Sequence, residues 1–217
     1  MSYLKIALSK GAIYEETLSL FKNAGFDISE LRKESRKLRL VNDNEKIEYI
    51  LTRPFDVPTF VEYGAADLGI VGKDVLMETK KKVFELLDLG YGKCKFVLAA
   101  LSKEKDDIEE NYKHLGQVRV ATKFTKVAED YFTKQGVQAE IIKLHGSVEL
   151  APIVGLADEI VDLSSTGKTL ADNNLIIVDE IAECSARLIA NHVSYKIKSK
   201  EINEFLDKVK QVKRSSK

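Results

Sequence analysis

The chain has 217 residues, of which 44% are hydrophobic and 31% are charged, a composition typical of a globular protein with one or two cores. Lys and Arg together number 34, as do Asp and Glu, so a net charge of zero argues against attraction to nucleic acids or membranes by bulk charge. The two cysteines, Cys94 and Cys184, are too far apart for a zinc motif, and no apolar run is long enough to span a membrane.

Strand-like and helix-like segments alternate along the chain, and the first strand, Leu4–Leu8, begins without the pattern of a signal peptide, which predicts a cytoplasmic protein. Short apolar runs predict further strands at Ile47–Leu51, Asp67–Val71, Lys95–Leu101, Gln117–Ala121, Glu140–Leu144, Glu159–Leu163 and Leu175–Asp179. Helices are predicted between several of them, at Tyr14–Ala24, Val57–Tyr63, Lys126–Gln135 and Ser147–Val154. This alternation predicts an α/β fold with largely parallel sheets.

Two glycines, Gly90 and Gly92, lie between apolar strands and form the best candidate domain boundary. A second candidate is the strand-like stretch Asp179–Arg187. Together they predict a discontinuous first domain at residues 1–92 plus 183–217 and a second domain at residues 93–182. The returning C-terminal segment contains an amphipathic helix, whose predicted apolar face consists of Ile202, Phe205, Leu206, Val209 and Val212.

Loops after the early strands carry residues suited to binding anions. Lys10 and Gly11 follow the first strand and precede a helix, where a phosphate can approach the backbone closely. Arg53 follows the second predicted strand, Asp56 is the predicted cap of the next helix, and a guanidinium there suits a bidentate grip on phosphate. The alternative for Arg53 is a surface ion pair, which is common and weak. Gly72 ends a buried strand, where a glycine also serves tight packing.

The most informative loop is Asp162–Leu170, in which a strand ends in a carboxylate and hydroxyl residues, a glycine and a lysine follow. Its Gly-Lys-Thr sequence fails the nucleotide-binding P-loop motif, because the position of the first glycine is occupied by Asp162. Backbone N–H groups at a helix start suit a phosphate, while a carboxylate can accept hydrogen bonds from ribose hydroxyls. The loop therefore points to a sugar phosphate, and the alternative is a helix cap rich in Ser and Thr.

A similar arrangement precedes this loop, at His145–Leu150. Ser147 is placed to cap a helix, and Glu149 in its first turn favours the helix dipole whether or not it binds a ligand. Taken alone, this segment is more simply interpreted as a helix cap than as a binding site.

In order along the chain, these pieces resemble the catalytic subunit of ATP phosphoribosyltransferase, the first enzyme of histidine biosynthesis. The most specific stretch is Glu140–Leu175, and the resemblance spans nearly the whole chain. Other matching stretches are Arg53–Pro58, Gly64–Leu76, Ala121–Lys123 and Ser185–Asn191.

The resemblance implies a reaction between ATP and phosphoribosyl pyrophosphate (PRPP), which joins adenine N1 to ribose C1 and releases pyrophosphate, with Mg²⁺ as cofactor. It also implies a two-domain fold like that of type II periplasmic binding proteins, with the active site in the interdomain cleft. Its length resembles the short form of the family, which works in a hetero-oligomer with a histidyl-tRNA-synthetase-like regulatory subunit.

The resemblance further assigns residues to the two substrates. The residues implied for PRPP are Glu149, Asp158, Asp162, Ser164, Ser165, Thr166, Gly167, Lys168 and Thr169. Those implied for ATP are Lys10, Gly11, Arg53, Asp56, Asp67 and Gly72. Among them, Lys10, Arg53 and Asp162 are the predicted catalytic residues.

The first loop departs from the family pattern, which usually reads Pro-Lys-Gly-Arg, because this chain has Ala12 in place of the arginine. Either Lys33, Arg36 or another nearby cation substitutes for it, or ATP is held more weakly. Two rival functions share the loop chemistry: a noncatalytic module of the same fold that binds small anions, and a phosphoribosyltransferase that acts on a free nucleobase.

Overall fold

A computed structural model describes residues 3–33, 36–102 and 117–215 of the chain, with only the backbone of Ser215. The chain divides into two compact units: unit 1 comprises Met1–Gly92 and Ser185–Lys217, and unit 2 comprises Lys93–Cys184. The second crossing between the units thus falls after Cys184, where the sequence predicts it after residue 182.

Unit 1 is built on a mixed sheet with strand order β2-β3-β1-β4-β11-β5. The strands are β1 (Leu4–Ser9), β2 (Arg39–Asn42), β3 (Ile47–Thr52), β4 (Leu68–Gly72), β5 (Phe84–Asp88) and β11 (Ala186–Ala190). The three central strands β3, β1 and β4 are parallel, with Ser9 paired to Thr52 and Leu8 to Ile70. Their carboxyl ends therefore lie at one edge of the sheet, where ligand-binding loops of α/β proteins collect.

Helices cover the sheet of unit 1. They are α1 (Tyr14–Asn23), α2 (Ser29–Arg32), α3 (Val57–Glu62), α4 (Lys73–Thr79), α8 (His192–Ile197) and α9 (Ser199–Ser215). Helix α9 confirms the predicted amphipathic face, because Ile202, Phe205, Leu206 and Val209 are buried, and Val212 is half-buried.

Helix α1 has a well-defined end that shapes the loop after it. The N–H of Gly25 donates to the carbonyl of Lys22, and the N–H of Phe26 donates to that of Phe21, which is the pattern of a Schellman motif. Gly25 has a φ of 80°, a left-handed conformation that glycine adopts without strain. The Phe26 ring then packs on both Phe21 and Phe205, so the end of α1 is tied to helix α9.

Unit 2 is built on a second mixed sheet with strand order β10-β6-β9-β7-β8. The strands are β6 (Cys94–Leu101), β7 (Val118–Thr122), β8 (Ala139–Lys143), β9 (Glu159–Ser164) and β10 (Leu175–Cys184). Strands β8, β7 and β9 are parallel, and β6 runs antiparallel to both β9 and β10. The described helices of this unit are α5 (Thr125–Gln135), α6 (Leu150–Ile153) and α7 (Lys168–Asp172).

The predicted strands are found, most within one or two residues, although β10 extends to Cys184 where the prediction ends at Asp179. The strands predicted from apolar runs omit β11, which lies between β4 and β5, and the other missed elements include short ones and an edge strand. Helix α2 and strand β2 have four residues each, too few to show a hydrophobic period. Strand β5 lies at the edge of its sheet and is largely exposed, so it lacks the apolar run of a buried strand. Within the described residues, no helix has the length and apolar character needed to cross a membrane.

Glu159 is a carboxyl group buried at the amino end of β9, with 5% of its surface exposed. It is paired with Ala100 of β6 on one side and Val120 of β7 on the other. Burial raises the pKa of Glu159 from 4.5 to about 7, and the charge of Asp158 adds to the shift. The neutral form is thus favoured by folding, so its contribution to stability is complete below the unfolded pKa and is lost as the pH rises through about 7.

We therefore expect Glu159→Gln to raise the free energy of unfolding at about pH 8 by up to about 3 kcal/mol, because each pKa unit is worth about 1.4 kcal/mol. At about pH 4 the wild-type carboxyl is neutral, and the two proteins should be equally stable. Urea denaturation at both pH values measures this difference. The exposed Glu140→Gln in β8 is the matched control and should show no such gain at high pH. An equal effect of Glu159→Gln at both pH values would contradict the explanation.

Candidate functional site

The loop after β9 forms a tight turn stabilised by its own hydroxyl groups. The N–H of Gly167 donates to Oγ of Ser164 at 2.9 Å, and the N–H of Lys168 donates to Oγ1 of Thr166 at 3.4 Å. Gly167 has a φ of 75° and is the N-cap of α7, so a residue with a side chain would be strained there. Helix α7 has only five residues, so its donor groups matter more to a bound anion than its dipole does.

Asp162 lies half-buried in β9, just before this turn. Burial is the main cause that raises the pKa of Asp162, the negative charge of Glu149 adds to the shift, and the positive charge of Lys123 opposes it. Its Oδ1 accepts a hydrogen bond from the N–H of Leu163 at 2.8 Å. The structure thus brings Asp162, Glu149 and Lys123 into one electrostatic neighbourhood in unit 2.

Lys123 is absent from the residues that the sequence assigns to PRPP. It follows β7 directly, and β7 is parallel to β9 with Thr122 paired to Val161. That register places Lys123 level with Asp162 at the carboxyl edge of the sheet. The sequence could have indicated Lys123, because Ala121–Lys123 is one of the stretches that resemble the family. Only the pairing of β7 with β9 shows that Lys123 lies near Asp162.

The segment before Glu149 differs from the helix cap that the sequence predicts. Helix α6 begins at Leu150, so the predicted helix Ser147–Val154 starts three residues too early. Ser147 has a φ of 48°, an uncommon left-handed conformation for a residue other than glycine. Glu149 occupies the N-cap position, but its carboxylate makes no capping hydrogen bond to the helix.

Asp158 lies apart from the other predicted PRPP residues of this loop. It precedes β9 and so lies at the amino end of the strand, away from the turn at Gly167. Its carboxylate accepts from the backbone N–H of Arg119 at 2.9 Å and from the guanidinium Nη2 at 2.7 Å. Although burial opposes the shift, these Arg119 contacts lower the pKa of Asp158. Asp158 therefore fastens β9 to β7.

In unit 1, three of the predicted ATP residues meet at the carboxyl edge of the parallel strands. Lys10 follows β1, Arg53 follows β3, and the register of β1 with β4 places Gly72 level with Lys10. Gly11 lies against the next loop, because a Cβ at Gly11 would contact the ring of Pro54 at 3.9 Å. Gly72 is covered by its own helix, since a Cβ there would lie 2.0 Å from Oδ1 of Asp74.

Arg53 and Asp56 are both exposed at this edge. The ion-pair alternative for Arg53 is not realised, since it forms no ion pair among the residues that the structure describes. Asp56 occupies the predicted N-cap position of α3, although its side chain makes no capping bond and a 3-10 turn at Pro54–Asp56 precedes the helix. Both charged groups therefore face solvent next to Gly11.

Asp67 lies at the amino end of β4, apart from the other predicted ATP residues. Its carboxylate accepts from the backbone N–H of Lys5 at 2.8 Å, the hydroxyl of Ser194 at 2.7 Å and the ammonium of Lys198 at 2.7 Å. It is 4% exposed. Asp67 therefore ties strands β1 and β4 to the C-terminal helices, which is a structural role.

A family model for ATP phosphoribosyltransferase matches residues 53–211 of the chain. An ATP phosphoribosyltransferase of Syntrophomonas wolfei is 49% identical over 210 residues, which cover 97% of this chain and 95% of that protein. The chain belongs to the ATP phosphoribosyltransferase family. It is therefore a pentosyltransferase of the first step of histidine biosynthesis, as the resemblance implied.

Solved structures agree with the assignment to the ATP phosphoribosyltransferase family. The ATP phosphoribosyl transferase (HisG:HisZ) complex from Thermotoga maritima matches with a TM-score of 0.81 and 35% identity, covering 96% of this chain and 98% of that one. An ancestral amino acid-binding protein, AncCDT-1, matches with a TM-score of 0.55 and 14% identity, covering 99% of this chain and 91% of that one. This second likeness concerns the fold alone and agrees with the expected fold like that of periplasmic binding proteins.

For this ATP phosphoribosyltransferase, we expect Asp67→Ala to lower the free energy of unfolding by about 3 kcal/mol, because Lys198 would keep a largely buried charge without its partner. The Michaelis constants for both substrates should stay unchanged at temperatures where the variant is folded. Thermal melting and steady-state kinetics measure the two effects. The exposed Asp207→Ala in α9 is the control and should melt like the wild type. A raised KM for ATP without a loss of stability would contradict the structural role and indicate that Asp67 contributes to ATP binding.

Proposed function

We propose that unit 2 binds PRPP and unit 1 binds ATP, and that the enzyme joins adenine N1 to ribose C1. The main support for assigning PRPP to unit 2 is the loop after β9, where a half-buried carboxylate, hydroxyl groups and Lys168 lie in and just before one turn. A sugar phosphate needs both kinds of group, because N–H groups and lysine bind the phosphate while a carboxylate accepts from ribose hydroxyls.

The 5′-phosphate of PRPP is held by the turn Thr166–Thr169, with the hydroxyls of Ser164 and Ser165 beside it. In the structure, hydroxyl oxygens of Ser164 and Thr166 accept from the N–H groups of Gly167 and Lys168. Phosphate oxygens are charged and accept hydrogen bonds more strongly than hydroxyls do. The phosphate therefore replaces these hydroxyls as acceptor in a turn that already has its shape.

Asp162 accepts hydrogen bonds from the ribose hydroxyls and so orients the sugar. Burial raises the pKa of Asp162, whereas the positive charge of Lys123 favours the ionised form that can accept several hydrogen bonds. The carboxylate also offsets the positive charge that develops on the ribose as its bond to pyrophosphate breaks.

ATP is bound in unit 1 by Lys10, Gly11, Arg53, Asp56 and Gly72. Four of these residues lie on the loops that follow β1 and β3, and Gly72 ends β4. The exposed guanidinium of Arg53 and the ammonium of Lys10 are cations that stabilise phosphate charge during the transfer.

The reaction requires alignment more than proton transfer. The lone pair of adenine N1 attacks ribose C1, the N1–C1 bond forms, and the C1–O bond breaks as pyrophosphate leaves with the electron pair. Since N1 has no proton to lose before it attacks, positioning and charge stabilisation supply the catalysis. The chemistry therefore does not need a catalytic triad.

Magnesium is the cofactor that we propose, held by Glu149 and Asp162 together with substrate phosphates. Among the residues that the structure describes, no three His, Cys, Asp or Glu are grouped to hold a metal. Mg²⁺ bound to phosphates commonly takes only one or two carboxylates from the protein, so a pair fits. Glu149 and Asp162 are close enough for their charges to interact. The bound ion would supply positive charge to the departing pyrophosphate.

We further infer a regulatory partner and a cytoplasmic location. The similar structure from Thermotoga maritima is a HisG:HisZ complex. By analogy, this chain works in a hetero-oligomer with a histidyl-tRNA-synthetase-like regulatory subunit. Its substrates are ATP and PRPP, so we place it in the cytoplasm and propose no function on nucleic acid or membranes.

Incubation with ATP, PRPP and magnesium tests the proposed function, with and without the regulatory subunit. We expect N1-(5-phosphoribosyl)-ATP and pyrophosphate in equal amounts. Free adenine in place of ATP is the control and should give no product. Product with adenine but not with ATP would indicate a phosphoribosyltransferase that acts on a free nucleobase. No product under any condition would favour a noncatalytic module that binds small anions.

We expect Asp162→Asn to weaken PRPP binding or turnover by about tenfold or more, equivalent to about 1.4 kcal/mol, because an amide cannot accept hydrogen bonds at both of its polar atoms. The KM for ATP should change little. The control is Asp172→Asn, an exposed carboxylate in α7 outside the turn. Unchanged kinetics in a folded Asp162→Asn variant would remove Asp162 from the ribose site.

A further inference from the structure

The two cysteines of the chain are distant in sequence but lie opposite one another in unit 2. Cys94 is the first residue of β6, and Cys184 is the last residue of β10. These strands are antiparallel, and their register pairs Cys184 directly with Cys94. The chain contains no other cysteine. The fold therefore brings both thiols of the protein to one position in the sheet.

The pairing meets the geometric requirement of a disulfide. Residues directly opposite in an antiparallel pair have Cα atoms about 4.5 to 5.5 Å apart, and their side chains point to the same face of the sheet. Disulfides join cysteines whose Cα atoms are about 4.4 to 6.8 Å apart. A bond between Cys94 and Cys184 therefore requires no change in the register of the strands.

The neighbouring residues hold this end of the two strands together. Glu183 is paired with Lys95, in regular register with the cysteine pair. The ammonium of Lys95 lies 2.7 Å from a carboxylate oxygen of Glu180 and 3.8 Å from one of Glu183. All three side chains are partly exposed, so the ion pairs add little stability. They favour the alignment of β6 and β10 that places the thiols opposite each other.

The two thiols differ in their access to solvent. Cys184 is 4% exposed, whereas Cys94 is half-buried and follows the exposed Lys93. A dissolved oxidant reacts more readily with a partly exposed thiol than with a buried one. Cys94 is therefore the thiol that an oxidant meets first, and Cys184 is placed to attack it in a second step.

The position of the cysteines in the chain gives a bond between them a large effect. Unit 2 comprises Lys93–Cys184, so the bond would close nearly the whole unit into a covalent loop. A disulfide stabilises a protein mainly by restricting its unfolded chain, and the effect grows with the length of the closed loop. The bond would also lie beside the turn after β9, because Lys95 is paired with Ser164.

We propose that Cys94 and Cys184 are a redox modification site, at which small disulfides such as oxidised glutathione form a reversible intramolecular disulfide. The site is separate from the transferase reaction and does not depend on which substrate unit 2 binds. In a reducing compartment both residues remain thiols. When small disulfides accumulate, the bond forms and stabilises unit 2, and small thiols reverse it.

The bond forms in two exchange steps. Cys94 loses its proton to solvent, and its sulfur attacks one sulfur of the small disulfide, which releases a first small thiolate. Cys184 then loses its proton, and its sulfur attacks that of Cys94 and releases a second small thiolate. The protein loses two electrons and two protons. The small disulfide accepts the electrons and takes up two protons from solvent, so that two small thiols result.

The test incubates the whole folded protein with oxidised glutathione and measures its intact mass after acid quenching. We expect the mass to fall by two hydrogen atoms and a proteolytic map to link Cys94 to Cys184. At a fixed ratio of reduced to oxidised glutathione, the ratio of disulfide to dithiol should be at least about tenfold higher in the folded protein than in denaturing urea, because the fold holds the thiols together.

Thermal melting measures the effect of the bond on stability. The oxidised wild type should melt about 5 °C or more above the reduced protein, and dithiothreitol should abolish the difference. Cys94→Ser and Cys184→Ala are the controls, and neither should show the loss of mass or the shift in melting temperature. Each variant is compared with itself under oxidising and reducing conditions, so a variant that is less stable than the wild type still serves as a control.

Four outcomes would overturn the proposal. The first is a glutathione adduct on Cys94 that does not proceed to the internal bond, and the second is a disulfide-linked dimer on non-reducing electrophoresis. The third is a bond that forms as readily in urea as in the folded protein. The fourth is an internal bond without a rise in melting temperature. None of these results would change the formation of phosphoribosyl-ATP by the reduced enzyme, which tests the proposed function separately.

Discussion

Parallel strands bring their carboxyl ends to one edge of a sheet, and nearly every candidate residue of this enzyme depends on that constraint. In unit 1, the register of β1 with β3 and β4 collects Lys10, Arg53 and Gly72. In unit 2, the register of β7 with β9 sets Lys123 beside Asp162. Each residue comes from a distant part of the sequence. The pairing of strands therefore determines which charges meet, and the loops determine how they are presented.

Much of this arrangement is predictable from the amino-acid sequence, and the failures have a physical cause. Strands β4 and β9 are recognisable because they are buried and read as continuous apolar runs. The structural contacts of Asp67 and Asp158 are not predictable, since a carboxylate beside a strand does not reveal which cation it will meet in the fold. Lys198 and Arg119 meet them through contacts distant in sequence.

Four carboxylates fall into two classes, those that form ion pairs with cations and those that are buried with a raised pKa. Asp67 and Asp158 are matched with cations and stabilise the fold. Asp162 is half-buried, and burial is the main cause of its raised pKa, which the positive charge of Lys123 opposes. Perturbed groups of this kind are concentrated at functional sites, although burial alone also produces them, as at Glu159. Their positions distinguish Asp162 from Glu159, because Asp162 lies at the carboxyl edge of the strands and Glu159 lies at the amino end of β9.

The central claim is that the two substrates bind to different units. Backbone amide chemical shifts of the isotope-labelled protein test it most directly, when PRPP and ATP are titrated separately in the presence of magnesium. The account predicts that PRPP shifts the amide signals of Ser164–Thr169 in unit 2, and that ATP shifts those of Lys10 and Gly11 in unit 1. Shifts from PRPP confined to Lys10 and Gly11, or shifts from ATP centred on Ser164–Thr169, would contradict it.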